Sequence, residues 1–498
     1  MKSKFIYILT CAAVLMSASC NKWLDIIPED TTTEDQLFSS AGGYHSAING
    51  IYQTMSSSQL YGENLTWGFA SALSQYYDNY SADDTKSFSY TERYEYDSDE
   101  VKNYGENIWQ TAYNVIANAN NILKHIETAD PGMFPEYEKC EMDVIKGEAL
   151  AIRALMHFEL LRLFGESPAV DRNAKAIPYV ESFPSLFNER KTVSEVIEKV
   201  EKDFSDAAEL LAVNDTTSDG HSEDYMNATS NRFYASNSSR DMFFTARGVR
   251  LNYVAVNSLL ARVKAYSGDL AGAYTVAKEI VDEYVSKDSK SNWYDYTTTF
   301  SASDTDANRP HKLMDELLVC FYNENISTVY TNATNDRKRS NAYALKNLDN
   351  YFDDRNDIRR SKLIINLDSE TQISLKYRER TSPSIKAENM VLPVMRISEL
   401  YLIMAEYLAS QNEYASAVEI INDLRTARSS VNMLPSDISP ADFSKALDAE
   451  IWKENVAEGQ YFFYCKRINA ATINNNGVYV PMAGKYTMTI PDSEISLN

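Results

Sequence analysis

Apolar residues return every three or four positions over 104–127, 138–165, 191–212, 248–267, 269–286, 396–411, 413–429 and 440–467. That period keeps one face of an α-helix apolar, so each stretch predicts a helix. Between them, 58–100, 214–246 and 288–394 lose the period and are rich in Ser, Thr, Asn, Asp and Tyr, as turns and exposed loops are. Within the first of these, Tyr90, Tyr94 and Tyr96 fall on alternate positions and predict a short strand or an extended loop edge. The pattern as a whole predicts a mainly α fold with large loop-rich insertions.

Two predicted helix pairs repeat one another. Segment 259–277 reads LLARVKAYSGDLAGAYTVA and segment 403–421 reads IMAEYLASQNEYASAVEII. An offset of 144 aligns Ala261 with Ala405, Gly268 with Asn412, Asp269 with Glu413, Ala271 with Ala415 and Ala273 with Ala417. Small residues on facing positions let two helices approach, and Gly or Asn supplies the left-handed conformation that ends the first helix. The logic is that of a tetratricopeptide hairpin, but the units are separated by long insertions and not repeated in tandem at about 34 residues.

The N-terminus has a different pattern. Lys2 and Lys4 precede an apolar run over 5–16, broken only by Thr10. The run is too short for a helix of roughly 20 residues across a bilayer and has the length of a signal-peptide core. Ser17, Ala18 and Ser19 follow, and then Cys20, a string that resembles a bacterial lipobox. Residues 1–19 are therefore predicted to be removed, with Cys20 as the lipidated first residue of one domain over 20–498. Loss of Lys2 and Lys4 takes the formal charge from −23 to −25. No later segment reaches transmembrane length without charges, so the prediction is anchoring to a membrane, not insertion through it. Of the five Cys, Cys140, Cys320 and Cys465 then remain, far apart and without CxxC or Cys/His spacing. That count disfavours a disulfide framework or a structural zinc site, and Cys465 reads as a helix packing residue.

Composition narrows the partners. An acidic chain lacks the basic footprint that nucleic acid or an anionic lipid surface requires. Aromatic residues make up 12%, with 34 Tyr against 19 Phe and 5 Trp. A buried Tyr must find a partner for its hydroxyl, so this excess predicts that many rings lie at a surface.

Several strings, in order along the chain, resemble those of SusD/RagB-type nutrient-uptake lipoproteins. They are WLDIIPEDTTTEDQLFSSAGGYHSAINGIYQTM (23–55), IWQTAYNVIANANNIL (108–123), GEALAIRALMHFELLRLFGESP (147–168), RKTVSEVIEKVEKDFSDAAELL (190–211), RLNYVAVNSLLARVKAYSGDLAGAYTVAKEIV (250–281), LPVMRISELYLIMAEYLA (392–409) and ASAVEIINDLRTAR (415–428). The third, with Glu148, Arg153, Ala154, Phe164, Gly165 and Pro168, is the most specific. Near the C-terminus, Glu450, Glu454, Glu458, Gly459 and Arg467 match a family pattern whose internal Arg and Asp are here Tyr461 and Tyr464. These two lie three apart, on one helical face. The resemblance covers nearly the whole chain after Cys20, with an N-terminal region over 20–230 and a C-terminal region over 231–498. It implies a tetratricopeptide-like scaffold whose loop-rich face binds nutrient, typically an oligosaccharide or in some relatives a peptide. It further implies lipid anchoring at the outer-membrane surface and a TonB-dependent SusC-like transporter as partner. No catalysis and no cofactor are expected.

A sugar site needs exposed aromatic platforms beside carboxylates, amides or hydroxyls. Two loop stretches have that mixture. WGFASALSQYYDNYSADD (67–84) offers Trp67, Tyr76, Tyr77 and Tyr80, and NWYDYTTTF (292–300) offers Trp293, Tyr294 and Tyr296. These seven are the candidate ligand-binding residues; FYNENISTVYTN (321–332) has similar chemistry in a less specific form and is left out. Trp109 and Trp452 lie in predicted helices and are expected to pack there. Asp78, Asn79, Asp83 and Asp84 carry oxygen ligands without the EF-hand spacing, and no metal is predicted. The five His lie far apart, His157 inside an apolar helix as a packing residue, and HExxH, GxSxG, P-loop and GxGxxG motifs are absent. Two alternatives stay open: a surface lipoprotein glycoside hydrolase, which needs only a carboxylate pair, and a tetratricopeptide-like adaptor that binds protein alone.

Overall fold

The structure, a computed structural model, describes residues 33–79, 87–134, 138–217, 226, 229–233, 242–285, 292–296, 309–335, 341–369, 371–382 and 386–495. Its principal helices are α1 (Ala41–Met55), α2 (Asp99–Ile126), α3 (Lys139–Phe164), α4 (Val193–Thr216) and α5 (Tyr253–Ser267). Then come α6 (Leu270–Ile280), α7 (Ile397–Ser410), α8 (Tyr414–Ala427), α9 (Pro440–Glu454) and α10 (Tyr461–Arg467). Local chemistry sets where they start. Ser98, Asn252, Asp269 and Ser439 each accept a hydrogen bond from a backbone N–H of the first turn. Thr192 and Glu195 close a reciprocal capping box at the head of α4.

From α1 to α9 each helix packs on the next, which is the tetratricopeptide-like row that the sequence pattern predicts. α3 lies deepest: every residue from Gly147 to Phe164 is buried. A helix with no solvent face must pair its charges internally. Arg153 forks onto Asp203 at 2.7 and 2.8 Å, Arg162 onto Glu159 at 2.5 Å, and Glu148 takes Arg247 and Arg250. Gly268 (φ +86°) and Asn412 (φ +64°) end α5 and α7 in the left-handed conformation expected of the two hairpins.

Three features differ from expectation. The glycine-containing α1 is a full helix, burying Tyr44, Ile48, Ile51, Tyr52 and Met55. The apolar stretch 440–467 is two helices, broken by Ala457 and Gly459, both at positive φ. A Cβ on Gly459 would stand 2.7 Å from Ala70 Cβ and 2.9 Å from the Thr66 carbonyl, so the close approach requires glycine. And the alternating tyrosines form no strand: Ser89–Glu92 is a turn of helix and Tyr94 has φ +58°.

The described strands are β1 (Lys175–Pro178), β2 (Arg190–Thr192), β3 (Leu317–Tyr322), β4 (Ile364–Asn366), β5 (Gln372–Ser374), β6 (Val391–Arg396), β7 (Thr472–Asn475) and β8 (Val478–Pro481). They pair as antiparallel ribbons β1–β2, β3–β6, β4–β5 and β7–β8. β3 is buried from Leu317 to Phe321 and emerges at Tyr322. It lies against α1, and that junction positions the site.

Candidate ligand-binding site

A cavity of about 680 Å³ opens where α1, the segment 243–250 and the end of β3 meet, a size within the usual range for small-molecule sites. Successive turns of α1 supply His45, Asn49, Tyr52 and Gln53 to one wall, which its C-cap residue Ser56 extends, as residues three and four apart share a helix face. The opposite rim is Tyr322, Asn323, Glu324 and Asn325, where the chain leaves β3. Tyr322 is 49% exposed, a large ring facing solvent beside three polar side chains.

The floor is held by charge. Arg250 stacks its guanidinium 4.7 Å from the Tyr52 ring centre and 4.8 Å from that of Phe243. Its Nη2 donates to Glu148 Oε2 at 2.7 Å and its Nη1 to Asn49 Oδ1 at 2.8 Å. Burial alone would raise the Glu148 carboxyl, but Arg250 and Arg247 outweigh it and hold the group below its ordinary value. The Tyr52 hydroxyl accepts from the Leu251 N–H at 2.9 Å, and burial followed by the Glu148 charge pushes its pKa well up. His45 lies flat on Phe243, ring centres 4.0 Å apart, with Nε2 2.6 Å from Glu141 Oε1. Asn323 Nδ2 donates to the Ser56 carbonyl at 2.6 Å, which ties the rim to the end of α1. The cavity thus combines an exposed aromatic face, a fixed cation and several amides, the groups with which a polar, ring-shaped ligand can be gripped.

Six of the seven sequence-predicted residues lie elsewhere, and five are buried. Trp67 donates its indole N–H to the Gly62 carbonyl at 2.8 Å and meets Tyr330 edge-on at 5.0 Å. Tyr76 donates to the Trp452 carbonyl at 2.9 Å, and Tyr77 to that of Trp67. Trp293 packs 4.6 Å from Tyr284, and Tyr294 lies under the Arg232 guanidinium at 4.2 Å. Tyr296, half-buried, stacks on Tyr401 at 5.5 Å. The six described rings of the two stretches thus have separate partners and form no shared stacking arc; for these six the expectation is corrected, because carbonyls of packed segments, neighbouring rings and the Arg232 guanidinium hold the side chains inward. Tyr80, Asp83, Asp84 and Cys20 lie outside the described residues. The rim that the structure does expose, 322–325, belongs to the stretch 321–332 that sequence reasoning set aside; its signal was an aromatic residue followed at once by Asn, Glu and Asn. Trp109, Trp452 and Cys465 are buried in helices, as predicted. Among the described residues, no group of three or more His, Cys, Asp or Glu is arranged to hold a metal.

A row of helical hairpins with a cavity of this chemistry beside its first helix defines a ligand-binding protein on a tetratricopeptide-like scaffold. A family model described as starch-binding and associating with the outer membrane matches residues 22–235, and that of the SusD family matches residues 212–496, more than half of the chain. The chain belongs to the SusD family. Solved structures similar over nearly its whole length include a Bacteroides vulgatus ATCC 8482 protein whose name proposes sugar binding (22% identity, 92% of this chain and 97% of that one, TM-score 0.68). A SusD superfamily protein of Bacteroides thetaiotaomicron VPI-5482 matches at 22% identity, 92% and 98% coverage and TM-score 0.66. A SusD-like carbohydrate binding protein of Bacteroides vulgatus ATCC 8482 matches at 19% identity, 92% and 97% coverage and TM-score 0.64. Comparison with curated proteins returns no match. Among the described residues no helix is long and apolar enough to cross a membrane.

Proposed function

We propose that this protein is a cell-surface lipoprotein, anchored through Cys20 after removal of residues 1–19, that captures an oligosaccharide and passes it to a TonB-dependent barrel without breaking a bond. The observation that carries the reading is the cavity at the end of β3, in a chain of the SusD family. Tyr322 offers a flat face to sugar C–H groups, while Asn49, Gln53, Asn323 and Asn325 offer donors and acceptors to hydroxyls. Glu324 is the one carboxylate among the cavity's described lining residues, whereas glycoside hydrolysis uses two flanking the bond. That difference favours retention over turnover.

The test is affinity electrophoresis and calorimetry of the mature chain against a panel of polysaccharides, with reducing-sugar release measured in parallel. Retention of at least one glycan, no sugar release, and binding weakened about tenfold by Tyr322→Ala are expected, since stacking on an aromatic ring is worth about 1 kcal/mol beyond the area it buries. Sugar release by the wild type would replace this reading with the hydrolase. Co-purification with an outer-membrane barrel from the native host tests the delivery step.

A further inference from the structure

The described walls of the cavity at the end of β3 hold three acidic or basic side chains: His45, Arg250 and Glu324. Arg250 gives Nη2 to Glu148 at 2.7 Å. Glu148 also takes Arg247, which forks onto Asp215 at 3.1 Å. Two arginines are thus matched by two carboxylates, and the Arg250 side chain keeps only 11% of its surface exposed. His45 Nε2 lies 2.6 Å from Glu141 Oε1; with the carboxylate ionised, that pair is neutral or negative, never positive. Glu324 is exposed, and its carboxylate has no partner among the described residues. The walls therefore carry a net negative charge, and no cation on them is left to meet an anionic ligand.

The polar groups that remain are neutral. The Gln53 and Asn325 side chains bind no partner among the described residues. Asn49, whose Oδ1 accepts from Arg250, keeps its amide hydrogens for another acceptor. An amide both donates and accepts, as a sugar hydroxyl does, whereas a carboxylate or sulfate only accepts. A charged sugar seated here would give up water and gain no opposite charge, and burying a charge unpaired is costly. The formal charge of −23 over the whole chain acts in the same direction at longer range, repelling a polyanion before it reaches the rim.

We infer that the cavity selects uncharged oligosaccharides, and that Glu324 at its rim is the residue that discriminates against uronic-acid and sulfated chains. The inference rests on the reading of this cavity as a glycan site and names the class of glycan it takes.

The test is calorimetry of the mature chain at low ionic strength with cellohexaose, maltohexaose and mannohexaose, each compared with its C6-oxidised uronate form and with the methyl ester of that uronate. At least one neutral chain is expected to bind, its uronate about tenfold more weakly, and the ester to recover most of the loss. Added salt is expected to narrow the gap, because the rim is open to solvent. Glu324→Gln is expected to lower the ratio of uronate to neutral Kd about threefold, and Glu324→Lys further. Glu419→Gln makes the same change in net charge outside the cavity lining and should leave the ratio as it is. Equal or tighter binding of the uronate, or a ratio that Glu324→Lys does not move, overturns the inference and leaves glycan capture standing. Where only other polysaccharides of the wider panel are retained, a neutral one supports the inference and an anionic one overturns it. No binding of any glycan, neutral or anionic, overturns glycan capture itself.

Discussion

His157 lies inside α3 with both ring nitrogens engaged: Nδ1 bonds the Arg153 carbonyl at 2.8 Å and Nε2 the Val180 N–H at 2.9 Å. An N–H can meet only an acceptor, so Nε2 carries no proton and the ring is neutral. Burial, reinforced by the Arg153 charge, pushes its pKa down to about 3. The folded value lies below the unfolded value near 6.5, so the side chain's contribution is complete above about pH 6.5 and is lost as pH falls toward 3. His157→Gln is therefore expected to lower Tm most at pH 7.5, and the gap from wild type should narrow steadily down to pH 4.5; calorimetry across that range checks it, and a gap independent of pH overturns it. The tyrosines make a related point. Tyr76, Tyr94 and Tyr330 are buried, yet their hydroxyls donate to the carbonyls of Trp452, Leu73 and Ser374 at 2.8 to 2.9 Å. These carbonyls belong to the last turn of α9, the last residue of the short helix Phe69–Leu73 and the last residue of β5, where a helix or strand runs out of its own N–H partners and leaves carbonyls free to accept. The excess of Tyr over Phe was legible as a signal, but its address was not: composition cannot separate a phenol that meets water from one that meets a buried carbonyl at the end of an element. Among the described rings of the three candidate stretches, Tyr322 is the exposed one.

At the scale of elements, the hairpin turns and the last long helix carry the clearest consequences. Gly268 has φ +86°, and a Cβ at this position would meet nothing nearer than Arg172 Nη2 at 3.5 Å, so substitution strains the backbone without a clash. Gly268→Ala is expected to cost about 1 kcal/mol, while Asn412→Gly, at the equivalent turn, should be neutral or slightly stabilising; chemical denaturation of both measures the contrast. Along α9 and just beyond, Glu450, Glu454 and Glu458 form a buried ladder. Glu450 takes Arg425 and Lys453, Glu454 takes Arg428 and Arg359, and Glu458 takes Arg396 and Lys376, at 2.5 to 3.0 Å. Burial opposes ionisation of Glu454, and the two arginines overcome it, holding its pKa well down. Removing Glu454 leaves Arg428 on Glu316 and Arg359 on Asp357 and Glu450, with one buried positive charge uncompensated, so Glu454→Ala should cost about 3 kcal/mol. Lys202→Ala, which breaks an exposed pair with Asp206, should leave Tm unchanged. Most long helices were legible because their apolar period matched their burial. α1 was not, because three glycines dilute it, and β6 was not, because its apolar run leads straight into α7 without a turn signal.

At the scale of the whole molecule, the C-terminal segment is stitched into the N-terminal half. α10 packs on the short helix Phe69–Leu73. The Phe462 N–H donates to Ser74 Oγ at 3.0 Å, Ser167 Oγ to the Lys466 carbonyl at 2.8 Å, and the Met488 N–H to the Leu163 carbonyl at 3.0 Å. Tyr76 and Trp452 share a ring contact at 4.8 Å, and Asn475 Nδ2 donates to Gln75 Oε1. The first helices of the row therefore depend on residues some 300 to 400 positions later, and a single buried apolar cluster runs from Phe38 to Met488. Two consecutive family matches do not imply two folding units when the interface between them is the core itself. The mature chain is expected to unfold in one calorimetric transition with equal calorimetric and van't Hoff enthalpies. Truncation after residue 455 removes α10, the β7–β8 ribbon and these ties, and should leave a chain that does not fold cooperatively. Two separate transitions in the full chain, or a truncated chain that keeps a sharp melt, would show instead that the N-terminal helices form a domain of their own.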